Sequence, residues 1–267
     1  MQFNVSERFS EIGFCIYCGD RNSRLSDEHI VPFGLGGNSL ILPLSSCKKC
    51  AEITSKFELD CLRSAYGLFR GKIGAPTRRP KKRNPHLRIS IGKRGVTGLF
   101  EPSGFHIDSS LSDLPLFYIT PLMEPPGILL GKQPCSTWTG KFWTLILEGA
   151  DLSRIQENKE GLHLCSINPL SFSRMLAKIG YAYAIAKLGS LAFRPLILDL
   201  ILGRSEMMTH WIGGQPNVAP PTPADEIHQI RSAWATLHNT TYVIVTIRLF
   251  SSIGSPEYIV VVGTREK

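Results

Sequence analysis

The sequence lacks the segments that export a protein or hold it in a membrane. No apolar run approaches the about 20 residues of a membrane-spanning helix, and the opening residues MQFNVSERFSEIGF lack a basic region followed by an apolar core. These absences argue against a membrane protein and predict a cytoplasmic one. In such a reducing compartment, the seven cysteines are more often metal ligands, catalytic groups or core residues than a disulfide framework.

Acidic residues are missing from one long stretch. Residues 61 to 100 contain eleven Lys or Arg and no Asp or Glu, and because the whole chain carries +8, the remaining residues sum to −3. A local basic segment predicts a polyanionic partner, with nucleic acid, DNA above all, ahead of an anionic membrane surface. Five residues of its Pro-rich part, PTRRPKKRNP, are candidate phosphate contacts: Arg78, Arg79, Lys81, Lys82 and Arg83.

The composition changes along the chain indicate three regions. Residues 1–72 hold four of the cysteines, residues 73–94 form a basic connector, and residues 95–267 alternate strand and helix patterns. Strand patterns in TTYVIVTIRLF and PEYIVVVG flank the turn SSIGS, which predicts a hairpin. The sequence therefore predicts an α+β fold, in which a small cysteine-rich module precedes a domain of mostly antiparallel strands packed on one or two helices.

One long helix is predicted in the C-terminal region. The segment FSRMLAKIGYAYAIAKLG places apolar residues at helical spacing, with Asn168 suited to its start and Gly189 to its end. Arg174 and Lys178 are expected to be exposed on this helix, where they would extend a basic surface. His228 is expected to have a structural or surface role.

Four cysteines have the spacing of a zinc site. Cys15 and Cys18 form CIYC, and Cys47 and Cys50 form CKKC. Two CxxC turns can together supply the four thiolates of a tetrahedral structural zinc site. The alternative is four unconnected buried thiols, which paired spacing disfavours. Cys61, Cys135 and Cys165 have no partner at ligand spacing and are expected in the core.

The segment between the two cysteine pairs carries the resemblance to a known family. A strand ending near His29, a glycine turn, a second strand and a helix beginning around Cys47 are predicted here. CIYC, DEHIVP, LGG and CKKC, within about residues 13 to 60, resemble the HNH endonucleases, ββα-metal nucleases with a four-cysteine structural zinc site. The resemblance implies metal-dependent hydrolysis of phosphodiester bonds, with Glu28 binding Mg²⁺ or Mn²⁺ and His29 as the general base.

That assignment is chemically reasonable, because histidine titrates near neutrality and can take a proton from water, while a carboxylate can hold a divalent cation that neutralises phosphate charge. Neighbours in a regular strand point to opposite faces, so a shared site requires a distorted strand end. Ala51 stands where the family has a metal ligand, and Glu58, or else Glu52, could replace it. The alternative is that the chain is a catalytically inactive zinc-containing protein with a nucleic-acid-binding or regulatory role.

Overall fold

The fold is mixed α+β, as predicted, with five helices and several antiparallel sheets in the described part of the chain. The computed structural model describes residues 7–36, 40–77, 86–94, 100–110, 116–138, 141–147, 161–163, 167–215, 219–224 and 226–265. The candidate phosphate contacts Arg78, Arg79, Lys81, Lys82 and Arg83 lie outside these ranges, as does Cys165. No helix within them has the length and apolar character to span a membrane.

The N-terminal part consists of a three-stranded sheet and two helices. The elements are β1 (Glu7–Arg8), β2 (Leu25–His29), β3 (Leu40–Cys47), α1 (Lys48–Arg63) and α2 (Gly67–Lys72). Strand β3 lies in the centre of the sheet, antiparallel to β2 and parallel to β1. The predicted strand end at His29 and the predicted helix start beside Cys47 are both found.

The β2–β3 pair contains a bulge next to Glu28. Ser26 lies opposite Ser46, but Glu28 lies opposite Leu42, so one residue of β2 faces three of β3. Leu44 accommodates the extra length with a φ of 46°, a left-handed conformation that is uncommon outside glycine. Because neighbouring strand residues point to opposite faces, Asp27 is exposed to solvent whereas Glu28 is buried.

The middle of the chain forms two smaller sheets. β4 (His86–Arg94) pairs antiparallel with β5 (Phe100–Ser110) and with β8 (Gly161–His163), and β6 (Leu116–Pro121) pairs antiparallel with β7 (Phe142–Leu147). Cys135, which was expected in the core, is exposed. It lies between the 3-10 turn Gly127–Leu130 and β7 in a stretch without regular structure, so no packed element covers it.

Helix α3 (Pro169–Leu188) is surrounded by other elements on nearly all sides. The Asn168 side chain accepts hydrogen bonds from the backbone N–H groups of Leu170 and Ser171 at the helix start, and the helix ends at Gly189, as predicted. Twelve of its residues are buried, which is too many for one face. The helix therefore lies inside the protein rather than on its surface.

The C-terminal sheet covers one side of α3, and α1 covers another. The elements that remain are β9 (Phe193–Pro195), α4 (Leu198–Ile201), α5 (Met208–Trp211), β10 (Ile212–Gly214), β11 (His228–Leu237), β12 (Thr240–Leu249) and β13 (Tyr258–Arg265). The strands of the sheet follow the order β10-β13-β12-β11, with β9 also paired to β13, and every pair is antiparallel. The predicted hairpin is found as β12 and β13.

One hydrophobic core joins the cysteine-rich part to the C-terminal part. The Phe69 ring of α2 lies 4.9 Å from the Tyr118 ring and 4.7 Å from the Phe250 ring, measured between centroids, and both pairs meet edge to face. Edge-to-face aromatic pairs stabilise a fold beyond the contribution of the apolar area that they bury. The packing thus fixes the cysteine-rich part directly against α3 and the C-terminal sheet.

Candidate functional site

The four predicted zinc ligands come together at the junction of β3 and α1. The sulfur atoms of Cys15, Cys18, Cys47 and Cys50 all lie within 4.8 Å of one another. Cys47 is the last residue of β3 and Cys50 lies in the first turn of α1, so one strand-to-helix junction places both. Cys15 and Cys18 approach from a tight turn in which the Gly19 N–H donates to the Cys15 carbonyl and Gly19 has a φ of +78°.

The sulfur geometry suits a tetrahedral metal ion. Zinc–sulfur bonds of about 2.3 Å place tetrahedral sulfurs about 3.8 Å apart, and Cys18 Sγ lies 3.7 Å from Cys47 Sγ. Three of the cysteines are buried and Cys18 is exposed at the rim. The cluster could therefore hold one metal ion such as zinc, and the metal would join the N-terminal turn to the β3–α1 junction.

A second cluster, at the other end of the β2 strand, is formed by Glu28, Glu58 and Lys178. The Lys178 Nζ lies 2.5 Å from Glu28 Oε1 and 2.7 Å from Glu58 Oε1. The Lys178 side chain is only 1% exposed, the Glu28 side chain 8% and the Glu58 side chain 19%. The two carboxylates that the sequence analysis assigned to a divalent cation are thus brought together around an ammonium group.

Two backbone carbonyl oxygens complete the surroundings of this ammonium. Lys178 Nζ donates to the carbonyl of His29, and it lies 3.4 Å from the carbonyl of Ile30. Burial by itself lowers the pKa of Lys178, but the charges of Glu28 and Glu58 outweigh it, so the pKa lies above its usual value. The lysine is therefore positively charged at neutral pH inside a shell of four oxygen atoms.

Tyr17 forms another wall of this cluster. Its side chain is buried, and the pKa of its phenol is raised well above the usual value by burial and then by the negative charges of Glu28 and Glu58. A second tyrosine, Tyr181 of α3, donates from its hydroxyl to the Ile16 carbonyl over 2.8 Å. Helix α3 thus binds both the turn that carries the first cysteine pair and the Glu28–His29 strand end.

His29 lies beside this cluster, half-buried at the end of β2, with its ring centroid 5.9 Å from that of Phe33. Of the two helix carboxylates that could replace a ligand at Ala51, Glu58 lies at the ammonium and Glu52 is exposed. Glu52 lines an opening beside the cysteine cluster instead. Asp27 and Glu28 are neighbours in β2 and point to opposite faces, so Glu28 rather than Asp27 enters the cluster.

His228 has a structural position, as the sequence analysis expected. Its Nδ1 accepts a hydrogen bond from the Phe250 N–H over 3.1 Å, so Nε2 carries the proton and donates to the Leu35 carbonyl, also over 3.1 Å. Burial lowers the pKa of His228 to about 4. The neutral imidazole connects β11 to the 3-10 turn that follows β2.

Lys178 is the residue of this cluster that the sequence patterns did not predict. It was expected to be exposed together with Arg174, and this expectation was wrong because α3 is enclosed on nearly all sides. Arg174 also points inward, where its Nε donates to the Leu200 carbonyl over 3.1 Å. The available signal was that, from residue 175 to residue 186, Lys178 is the only charged residue in a run of apolar, aromatic and small residues, since a buried lysine must be paired.

No family model, curated protein or solved structure matches the chain.

Proposed function

We propose that this protein is a zinc-stabilised nucleic-acid-binding protein built on a ββα-metal module that does not carry out metal-dependent cleavage. The observation that carries the proposal is the Lys178 ammonium, 2.5 Å from Glu28 and 2.7 Å from Glu58. In a nuclease of the HNH kind, these carboxylates would have to be available to hold the catalytic metal. Here the positive charge is supplied by the protein itself and is shielded from solvent.

The binding role is supported by charge and by position in the chain. Helix α2 ends at Lys72, and the residues from 61 to 100 include eleven basic and no acidic side chains. Lys and Arg side chains contact phosphates without reading sequence, and such contacts weaken steeply as salt rises. The basic residues beyond Lys72 follow directly on the cysteine-rich module, and a zinc-stabilised module is a suitable anchor for them.

Metal-dependent hydrolysis of phosphodiester bonds is a second candidate, and a different observation favours it. The carboxylates of Glu28 and Glu58 meet at one place, the Lys178 ammonium, and His29 follows Glu28 directly in the chain. The resemblance to HNH endonucleases implies metal binding by Glu28 and a general base at His29. In that function Mg²⁺ or Mn²⁺ would bind Glu28 and Glu58, and His29 would deprotonate the attacking water. This function would require Lys178 to move away from both carboxylates. The metal would also lack the ligand that the family has at the position of Ala51.

One pair of assays separates the two candidates. Binding is measured by fluorescence anisotropy with a labelled DNA duplex and a labelled RNA at several salt concentrations, and cleavage is measured on plasmid with Mg²⁺ or Mn²⁺. We expect salt-dependent binding and no cleavage. The matched variant replaces Arg78, Arg79, Lys81, Lys82 and Arg83 with alanine, and it should bind weakly with a smaller salt slope.

Two results would count against the proposal. Equal binding by the wild type and the five-alanine variant would remove the basic segment as the binding surface. Metal-dependent cleavage that is lost in His29→Ala and in Glu28→Ala would establish the second candidate instead.

A further inference from the structure

We propose that Lys178 is the permanent cation of the Glu28–Glu58 site, that it excludes divalent cations from the wild-type protein, and that removing it opens a site for one divalent ion. The inference deepens the proposed function. It rests on that function only in treating the Glu28–Glu58 site as one that does not use a catalytic metal. It concerns what the cluster binds, whether or not the protein binds nucleic acid.

The surroundings of the ammonium have the chemistry of a hard-cation site. Two carboxylates and two backbone carbonyls face Lys178 Nζ, and all four groups present oxygen. Oxygen ligands of this kind suit Mg²⁺, Ca²⁺ and Mn²⁺. The cluster is more than a group of acidic residues, because a cation already occupies it as the ammonium of Lys178.

Charge explains why a divalent ion would bind once the lysine is removed. A single ammonium meets two carboxylates in the wild type, and its removal leaves both carboxylates together in a mostly buried place. Buried charges without a partner are strongly unfavourable. A divalent cation would neutralise both and would keep the carbonyls of His29 and Ile30 as ligands.

The fold explains why metal does not displace the lysine in the wild type. Lys178 lies in the middle of α3 and is 1% exposed, and α3 is packed between α1 and the C-terminal sheet. Glu28 and Glu58 are the acidic partners of this ammonium among the described residues, so leaving them would strand a buried charge without a partner, which is strongly unfavourable. A divalent ion would also have to lose much of its hydration shell to enter.

Mn²⁺ binding followed by electron paramagnetic resonance tests the inference on protein whose cysteine cluster is filled with zinc. Lys178→Ala should bind one Mn²⁺ at least about tenfold more tightly than the wild type, a separation of about 1.4 kcal/mol. Lys187→Ala is the matched control, because Lys187 lies on the same helix but forms an exposed ion pair with Glu7 over 2.9 Å. The Lys178→Ala/Glu58→Gln double variant should lose the added site.

Each outcome decides the inference. A wild-type protein that binds one Mn²⁺ and loses it in Glu58→Gln would overturn it, and so would a folded Lys178→Ala protein that binds Mn²⁺ no better than the wild type. If Lys178→Ala does not fold without metal, refolding in the presence of Mn²⁺ should restore the folded protein. If neither Lys178→Ala nor Lys178→Ser folds with Mn²⁺, the claim that removing Lys178 opens a metal site is overturned. Nucleic-acid binding is tested separately, because the five-alanine variant changes the basic segment and leaves the Glu28–Glu58 site intact. Mn²⁺ binding by the wild type would overturn the inference and the absence of cleavage together, whereas loss of nucleic-acid binding would overturn only the binding role.

Discussion

The ammonium of Lys178 and the carboxylate of Glu28 form a buried ion pair with an N–O distance of 2.5 Å. Glu28 lies in β2, between the two cysteine pairs, whereas Lys178 belongs to the central helix of the C-terminal part. The pair therefore connects the candidate site to a region with no recognisable motif. It also gives the C-terminal part a specific influence on the site, because its helix supplies the cation.

Replacing Lys178 with methionine should destabilise the fold strongly. Methionine fills the space of the lysine stem but leaves Glu28 and Glu58 without their cation, and removal of one partner of a buried ion pair costs about 3–5 kcal/mol. Lys187→Met removes an exposed pair and should cost about 0–1 kcal/mol. Urea unfolding of zinc-loaded protein gives both values.

The same experiment has an internal check. Combining Lys178→Met with Glu28→Gln and Glu58→Gln removes the unpaired charges, and it should recover most of the lost stability. A single Lys178→Met variant as stable as Lys187→Met would mean that the ion pair contributes little to the fold.

The cysteine cluster predicts one tightly held zinc ion per chain. Cys15→Ser and Cys47→Ser each remove one thiolate of four, so zinc content measured by elemental analysis should fall and the protein should unfold at lower urea, because structural zinc contributes directly to folding. Cys135→Ser is the control, since Cys135 is exposed and far from the cluster in the chain. Protein purified without chelator and free of zinc would contradict the assignment.

Acidification should destabilise the protein through His228. Its folded-state pKa of about 4 lies below the unfolded value near 6.5, so the contribution of the neutral imidazole is complete above pH 6.5 and is lost as pH falls toward 4. The loss amounts to about 3 kcal/mol over this window. Protonation also ends the hydrogen bond from Phe250 to Nδ1.

Comparison with His228→Gln isolates this effect from the other titrating groups. Unfolding free energies measured in urea between pH 7.5 and 5 should fall more steeply for the wild type than for the variant. Parallel pH profiles would show that His228 does not supply the acid sensitivity.

Local patterns predicted much of the fold. The ends of β2 and of α3, the helix start beside Cys47 and the β12–β13 hairpin follow from signals within a few residues, such as the cap at Asn168 and the turn SSIGS. The four cysteines were also predictable, because thiolate spacing is itself a local signal.

The contacts of the candidate site could not be predicted in the same way. Lys178 reaches Glu28 only after α3 packs against α1, and no pattern around either residue specifies the other. The left-handed φ of Leu44 at the bulge could not be predicted either, since leucine has no preference for that conformation. At the two carboxylates for which the sequence suggested a divalent ion, the structure has the ammonium of Lys178, and the divalent ion stays a prediction.

Anomalous X-ray diffraction from crystals of the wild-type protein grown with millimolar Mn²⁺ tests the central claim most directly. We expect the cysteine cluster to hold a metal and the density between Glu28 and Glu58 to show the Lys178 ammonium, with no manganese signal there. A manganese peak coordinated by both carboxylates, with Lys178 turned away, would contradict the account.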